Sequence, residues 1–248
     1  MRALRWFAAL IGVVMFSVGS AGAQQGDAFR KGNEEYGAGR FREAVDAYQG
    51  DVRSGQLSAA LFYNLGNACY RAGDMGHAIL NYERALALEP HHPEAQANLR
   101  LVRDQARALE LRRTAIERVV SKVTPAQCTL AAAVCFWLAA FAAAAWLLRR
   151  RRSPAVVALF IVSVAFCGCA LAALNVSDNG SNGSALAIIT GGKIEARLAT
   201  ADNAGTVLTL PTGSEIKILS TRGDWVYAAL PNELRGWIPA QSAERVRL

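Results

Sequence analysis

Two apolar runs, Ala126–Leu148 and Pro154–Val176, carry no charged side chain. Each is long enough to cross the hydrocarbon core of a bilayer as a helix, which takes roughly 20 residues. The link between them is Arg149, Arg150, Arg151, Arg152 and Ser153. So short a link forces the two helices to be antiparallel neighbours, and clustered arginine in a short loop marks the cytoplasmic side. The sequence therefore predicts a two-helix transmembrane hairpin. Everything before Ala126 and everything after Val176 is expected on the opposite, extracytoplasmic face. A buried hairpin in a soluble protein is the alternative, but two uncharged runs of this length are rare in one soluble chain.

The formal charge of +7 suggests nucleic acid until its distribution is read. Arg2 and Arg5 lie at the N-terminus and four arginines lie in the hairpin loop. Between residues 24 and 125 there are fourteen basic and thirteen acidic side chains, and after Val176 there are seven of each. The basic excess thus sits where it orients membrane segments, and no nucleic-acid partner is expected. Cys128, Cys135, Cys167 and Cys169 fall within the apolar runs, and Cys69 stands alone. No disulfide framework follows. Cys167 and Cys169 read as small filler in a transmembrane helix rather than a redox or metal pair.

Arg2 and Arg5 precede the apolar stretch Trp6–Val18 and the small residues Ala21-Gly22-Ala23. Basic start, short apolar middle and small residues at −3 and −1 form a secretory signal over residues 1–23. Cleavage after Ala23 leaves Gln24 as the new N-terminus. An uncleaved anchor gives the same topology, and both agree with the hairpin.

A 34-residue period follows. Gly32, Asn33 and Tyr36 recur as Gly66, Asn67 and Tyr70, and Gly39, Ala44 and Tyr48 recur as Gly73, Ala78 and Tyr82. This is the tetratricopeptide (TPR) period, and the second copy resembles that family closely. Leu65-Gly66 fills the first-helix signature, Ala78, Tyr82 and Ala85 fill the second, and Pro90 closes the unit. Glycine and alanine stand where two antiparallel helices approach closely, and Gly73 suits the turn between them. Two TPR units are expected over residues 24–92. The first is weaker, with Lys31 at the position of Leu65 and Asp51 at that of Ala85. A third unit starts at Pro93 without a second helix. One long capping or stalk helix is expected in the segment 93–125, running from Pro93 to about Lys122, on the order of 45 Å at 1.5 Å per residue. The resemblance implies a concave protein-binding face of Phe29, Asn33, Tyr36, Tyr63, Asn67 and Tyr70. Tyr63 and Tyr70 suit inter-repeat packing equally well. His91 and His92 read as a solvated loop, and no metal-ligand spacing occurs.

Residues 177–184, SDNGSNGS, read as a flexible tether with ends about 15 Å apart. From Ala185 the pattern changes to short β-like runs separated by turns: 187–190, 194–198, 207–210, 216–220, 225–230, 235–238 and a closing strand near 243–247. Gly223-Asp224-Trp225-Val226-Tyr227 followed by Gly236-Trp237-Ile238-Pro239 resembles bacterial SH3-like domains. The resemblance implies a small all-β barrel over 185–248, with Trp225, Tyr227 and Trp237 as a ligand groove and at least one tryptophan plugging the barrel.

The fold class expected is thus a multi-domain α plus β membrane protein: a TPR solenoid, a hairpin of two transmembrane helices (126–148 and 154–176) around the loop 149–153, and an SH3-like barrel. No phosphate loop, dinucleotide fingerprint or GxSxG is present. No enzyme, cofactor or metal is expected. The order of parts resembles the E-type proteins of the Bacteroides aerotolerance (Bat) group. That resemblance implies the bacterial inner membrane with both outer domains periplasmic. It also implies protein partners such as von Willebrand factor A-type membrane proteins and a MoxR-class ATPase system, and a link to stress tolerance. The expected function is a non-enzymatic adaptor whose TPR groove holds an exported protein segment. Cell-wall ligand binding through the SH3-like domain, with peptidoglycan contact, is the second reading.

Overall fold

The computed structural model describes residues 27–148, 153–180 and 183–247. The signal expected over residues 1–23 and the arginines 149–152 that carry the topology argument lie outside the described residues.

Two helical hairpins come first: α1 (Asp27–Gly37) with α2 (Phe41–Arg53), then α3 (Ala59–Arg71) with α4 (Met75–Leu88). Ser58 caps α3 by accepting from Leu61 N at 3.1 Å, and Asp74 caps α4 by accepting from His77 N at 3.1 Å. Such caps satisfy N–H groups that the helix itself leaves free. Gly66 allows the second hairpin to close, because a Cβ there would stand 2.8 Å from the Tyr82 ring. Gly32 meets Tyr48 in the same way one repeat earlier.

The third repeat departs from the expected long helix. α5 (Pro93–Ala106) starts with Pro93 in its first turn and stops at Arg107, whose φ is 51°. A left-handed residue ends an α-helix as glycine commonly does, and neither glycine nor proline marks this stop in the sequence. The chain then runs without helix to α6 (Ala115–Val120), opened by a capping box between Thr114 and Glu117.

α7 (Pro125–Leu148) and α8 (Pro154–Asn179) are long and apolar enough to cross a membrane. They pack on each other. Cys128, Ala132, Ala139 and Ala142 are buried on α7 and Ser163 on α8, a seam of small residues that lets the helices approach closely. Phe136, Trp137 and Phe141 face outward. α8 continues through Ser177, Asp178 and Asn179, where a flexible tether was expected. Lys217 Nζ donates to Asn179 O, and Arg247 pairs with Asp178 at 3.2 Å, which fastens the end of α8 to the sheet.

Seven strands follow: β1 (Leu186–Ile189), β2 (Ile194–Arg197), β3 (Thr206–Leu210), β4 (Glu215–Arg222), β5 (Trp225–Ala229), β6 (Arg235–Pro239) and β7 (Ala243–Arg245). They form one antiparallel sheet in the order β3-β2-β6-β5-β4-β1-β7. The sheet is open, with β3 and β7 as its edges, where a closed barrel was expected. The reason lies in β1, which is buried on both faces. Ala187 and Ile189 join the core of the sheet with Ile216, Val226, Ala228 and Ile238. Leu186 and Ile188 join the core of the helices with Leu61, Ile79, Tyr82 and Val102. An uninterrupted apolar strand is what burial on both faces requires, and LAII supplies it. Helices and sheet therefore share a core, and α4 takes a place that a barrel would have had to leave to solvent.

Candidate functional site

The first helices of the repeats, on which the binding face was expected, are α1, α3 and α5. Two residues expected on this face carry an internal ladder. Asn33 Oδ1 accepts from Tyr48 Oη at 2.7 Å and from Asn64 Nδ2 at 3.1 Å. One repeat later Asn67 Oδ1 accepts from Tyr82 Oη at 2.7 Å and from Asn98 Nδ2 at 3.0 Å. Each asparagine ties its own second helix to the first helix of the next unit. Burial pushes the Tyr48 phenol up to about 12 and moves Tyr82 further the same way, so both remain donors. The sequence held this signal, since Asn64 and Asn98 are also 34 residues apart. It places α5 in the array as the first helix of a third repeat.

With Oδ1 committed, the amide Nδ2 groups of Asn33 and Asn67 have no acceptor among the described residues. Tyr36, Tyr63 and Tyr70 are half-buried beside them. Tyr36 packs edge-on against Phe41, with ring centroids 5.3 Å apart. Tyr63 lies 4.9 Å from the His92 ring. His92 itself caps α5 by accepting from Ala95 N, so it is part of the fold rather than of a solvated loop. Phe29 is only 7% exposed and packs on Tyr48, which makes it a core residue.

On the sheet, Trp225, Tyr227 and Trp237 share one face. Tyr227 is opposite Trp237 in the β5–β6 register, and their rings are 5.0 Å apart. Arg197 is opposite Trp237 from β2. The core residues Val226, Ala228 and Ile238 alternate with them and point the other way. All three aromatic residues are half-exposed, so neither tryptophan plugs the core.

The contact between helices and sheet was not anticipated. Arg103 on α5 is 8% exposed and bonds Glu83 of α4 at 2.5 Å and, from the same nitrogen, Glu215 of β4. Burial opposes the Arg103 charge, but Glu83, Glu215 and Glu110 together hold its pKa above the usual value. Burial pushes the Glu215 carboxyl up against the pull of Arg103. Glu215 also accepts from Leu111 N at 2.9 Å, and Ser214 Oγ accepts from Leu109 N at 3.1 Å. Nearby, His77 Nδ1 lies 2.7 Å from Asp74 and Nε2 lies 3.1 Å from Glu244 of β7. Arg84 donates to Arg245 O at 3.0 Å, and its guanidinium pKa is lowered by burial. In the sequence Arg103, His77 and Arg84 are ordinary helix charges, and their distant partners Glu215, Glu244 and Arg245 give them a role.

Cys69 is buried beside Asn81, and burial pushes its thiol up to about 12. A thiol so protonated is a poor nucleophile.

Residues 59–92, which form α3, α4 and the turn after them, match the family of the tetratricopeptide repeat. No curated protein matches the chain. The part of the chain that carries Asn64, Asn67 and Tyr82 of the asparagine ladder, and Tyr63 and Tyr70 of the tyrosine face, therefore contains a tetratricopeptide repeat, a unit typical of protein–protein interaction.

Proposed function

We propose that this chain is a membrane-anchored adaptor that holds an extended protein segment along α1, α3 and α5. The repeat at 59–92 carries this reading, together with the side on which the sheet docks. The sheet packs against α4 and the end of α5, so the tyrosine face is left to a partner. An extended peptide offers backbone carbonyls, which suit the free Nδ2 donors of Asn33 and Asn67, and apolar side chains, which suit Tyr36, Tyr63 and Tyr70. α7 and α8 would cross the bacterial inner membrane, with helices and sheet on the periplasmic side. The Bat E-type resemblance points to envelope partners of the von Willebrand factor A and MoxR-class systems and to stress tolerance.

Asn33→Asp with Asn67→Asp tests the groove. It keeps both Oδ1 acceptors for Tyr48 and Tyr82, and it replaces each Nδ2 donor with a charged oxygen that repels a peptide carbonyl. Co-purification from mild detergent should recover an envelope protein with the wild type. Its yield should fall roughly tenfold or more with the variant, the loss of two hydrogen bonds worth about 1 kcal/mol each. Equal recovery would sink the proposal.

A second reading is binding of a cell-wall ligand on the aromatic face of an SH3-like sheet. The adjacent Tyr227 and Trp237 rings, with Arg197 beside them, favour it. Retention of the full chain on purified peptidoglycan, reduced by Trp237→Ala, would support it. Absence of retention would rule it out.

A further inference from the structure

A cavity of about 490 Å³ opens where α4 and α5, the start of α7, the end of α8 and β1 meet. Pro125 at the start of α7 and Val176 and Ser177 near the end of α8 line it, so it lies where the two apolar helices emerge. Its charged lining is unbalanced. Arg100, Arg103, Arg113, Lys122 and Arg247 face only Glu83 and Glu117. Some of this charge is spoken for: Arg247 pairs with Asp178, and the Arg103 Nη atoms are taken by Glu83, Glu110 and Glu215. Two other features are less committed. Arg113 is near enough to the buried Glu215 carboxyl to favour its charge, but neither Arg113 nor Lys122 makes an ion pair among the described residues. Arg103 Nε is buried with no hydrogen-bond partner. A buried donor left unsatisfied is costly, and its residue, Arg103, is part of the wall of this cation-rich cavity.

Beside the cavity, Ile116, Val119 and Val123 form an apolar stripe, 65%, 67% and 44% exposed, that ends two residues before α7. Such a stripe with basic neighbours suits a segment lying in the lipid headgroup layer.

We propose that this cavity holds the phosphate of an anionic membrane phospholipid. Arg113 and Lys122 supply charge, and the acyl chains run down the outside of α7 and α8. Lys and Arg side chains at the mouth of membrane helices attract an anionic headgroup by electrostatics that do not depend on the leaflet. The inference rests on the reading that α7 and α8 cross a bilayer, and the test separates the two.

The full chain is reconstituted in nanodiscs of phosphatidylcholine alone, or with one-third phosphatidylglycerol, and released into mild detergent for native mass spectrometry. Phosphatidylglycerol should remain bound well above its bulk share. Arg113→Gln with Lys122→Gln should reduce the bound fraction roughly thirtyfold, as expected for two cations near a lipid phosphate. Arg112→Gln with Arg118→Gln removes the same charge from the same segment outside the cavity and should leave binding unchanged. Lys122→Gln alone, at an exposed side chain, gives a partial loss should the double variant unfold. Millimolar inorganic phosphate should not displace the lipid. Displacement would mean a free-phosphate site and overturn the lipid assignment. Incorporation into both nanodiscs with no enrichment, or with equal loss in both double variants, overturns the cavity proposal and leaves the bilayer reading intact. Failure to enter either nanodisc overturns both.

Discussion

His77 stands between two carboxylates from different parts of the chain. Its hydrogen bonds to Asp74 and then Glu244 raise its pKa to about 9, against 6.5 for the free group, although burial pulls the other way. Glu244 is held lower by His77 first and by Arg84 more weakly. At Asp74 burial is the largest effect and opposes ionisation, but the side-chain and backbone bonds of His77 outweigh it and lower the pKa. Because folding raises the His77 pKa, its stabilisation is complete below about pH 6.5 and is lost as pH rises through about 9. A third of the side chain still meets water, so the contribution is about 1–2 kcal/mol rather than the full shift. His77→Gln should therefore lower the melting temperature by about 3–6 °C at pH 6. The gap to wild type should close by pH 9.5. A gap that does not change with pH would show that His77 acts by packing alone.

At the scale of elements, the helix–sheet junction depends on one buried guanidinium. Arg103→Met leaves Glu83 and Glu215 buried without a counter-charge and should cost about 3–5 kcal/mol. Adding Glu83→Gln and Glu215→Gln should restore much of that loss. Hydrogen exchange should show β1 and β4 opening in the single variant before α3 and α4 do. If the triple variant is no more stable than the single one, charge balance is not what fastens the junction. The elements themselves were legible from sequence. The glycine–tyrosine contacts of Gly66 and Gly32, both apolar helices and all seven strands follow from spacing and turn residues, because each depends on neighbours nearby in the chain. The junction was not legible. Arg103, Glu83 and Glu215 look like solvated helix and strand charges, and no apolar signal marks their burial. The stop at Arg107 was hidden because a non-glycine residue takes the left-handed turn. SDNGSNGS reads as coil by composition, but its first three residues are held helical by the bonds of Lys217 and Arg247.

At the scale of the whole molecule, the helices and the sheet form one body, and both chain ends of the α7–α8 hairpin enter it from the same side. That geometry demands a shared compartment for the two. A reporter fused after Lys122 in a truncated chain, and one fused after Ser184, should both read as exported. One inserted at Ser153 should read cytoplasmic. A cytoplasmic signal from either of the first two would overturn the topology. The early end of α5 at Arg107 also sets the number of repeats. A solenoid normally grows or shrinks by whole units, since each new unit offers the next the same surface. Here the residues after Arg107 lie along the start of β4, with Leu109 O accepting from Glu215 N at 2.8 Å. The same short stretch must then reach α7. Inserting another 34-residue unit before it would separate this contact with β4 from the α4 surface on which β1 packs. Duplication, the ordinary way in which repeat proteins diversify, would therefore break the junction of helices and sheet, whereas side-chain changes along α1, α3 and α5 would leave it intact.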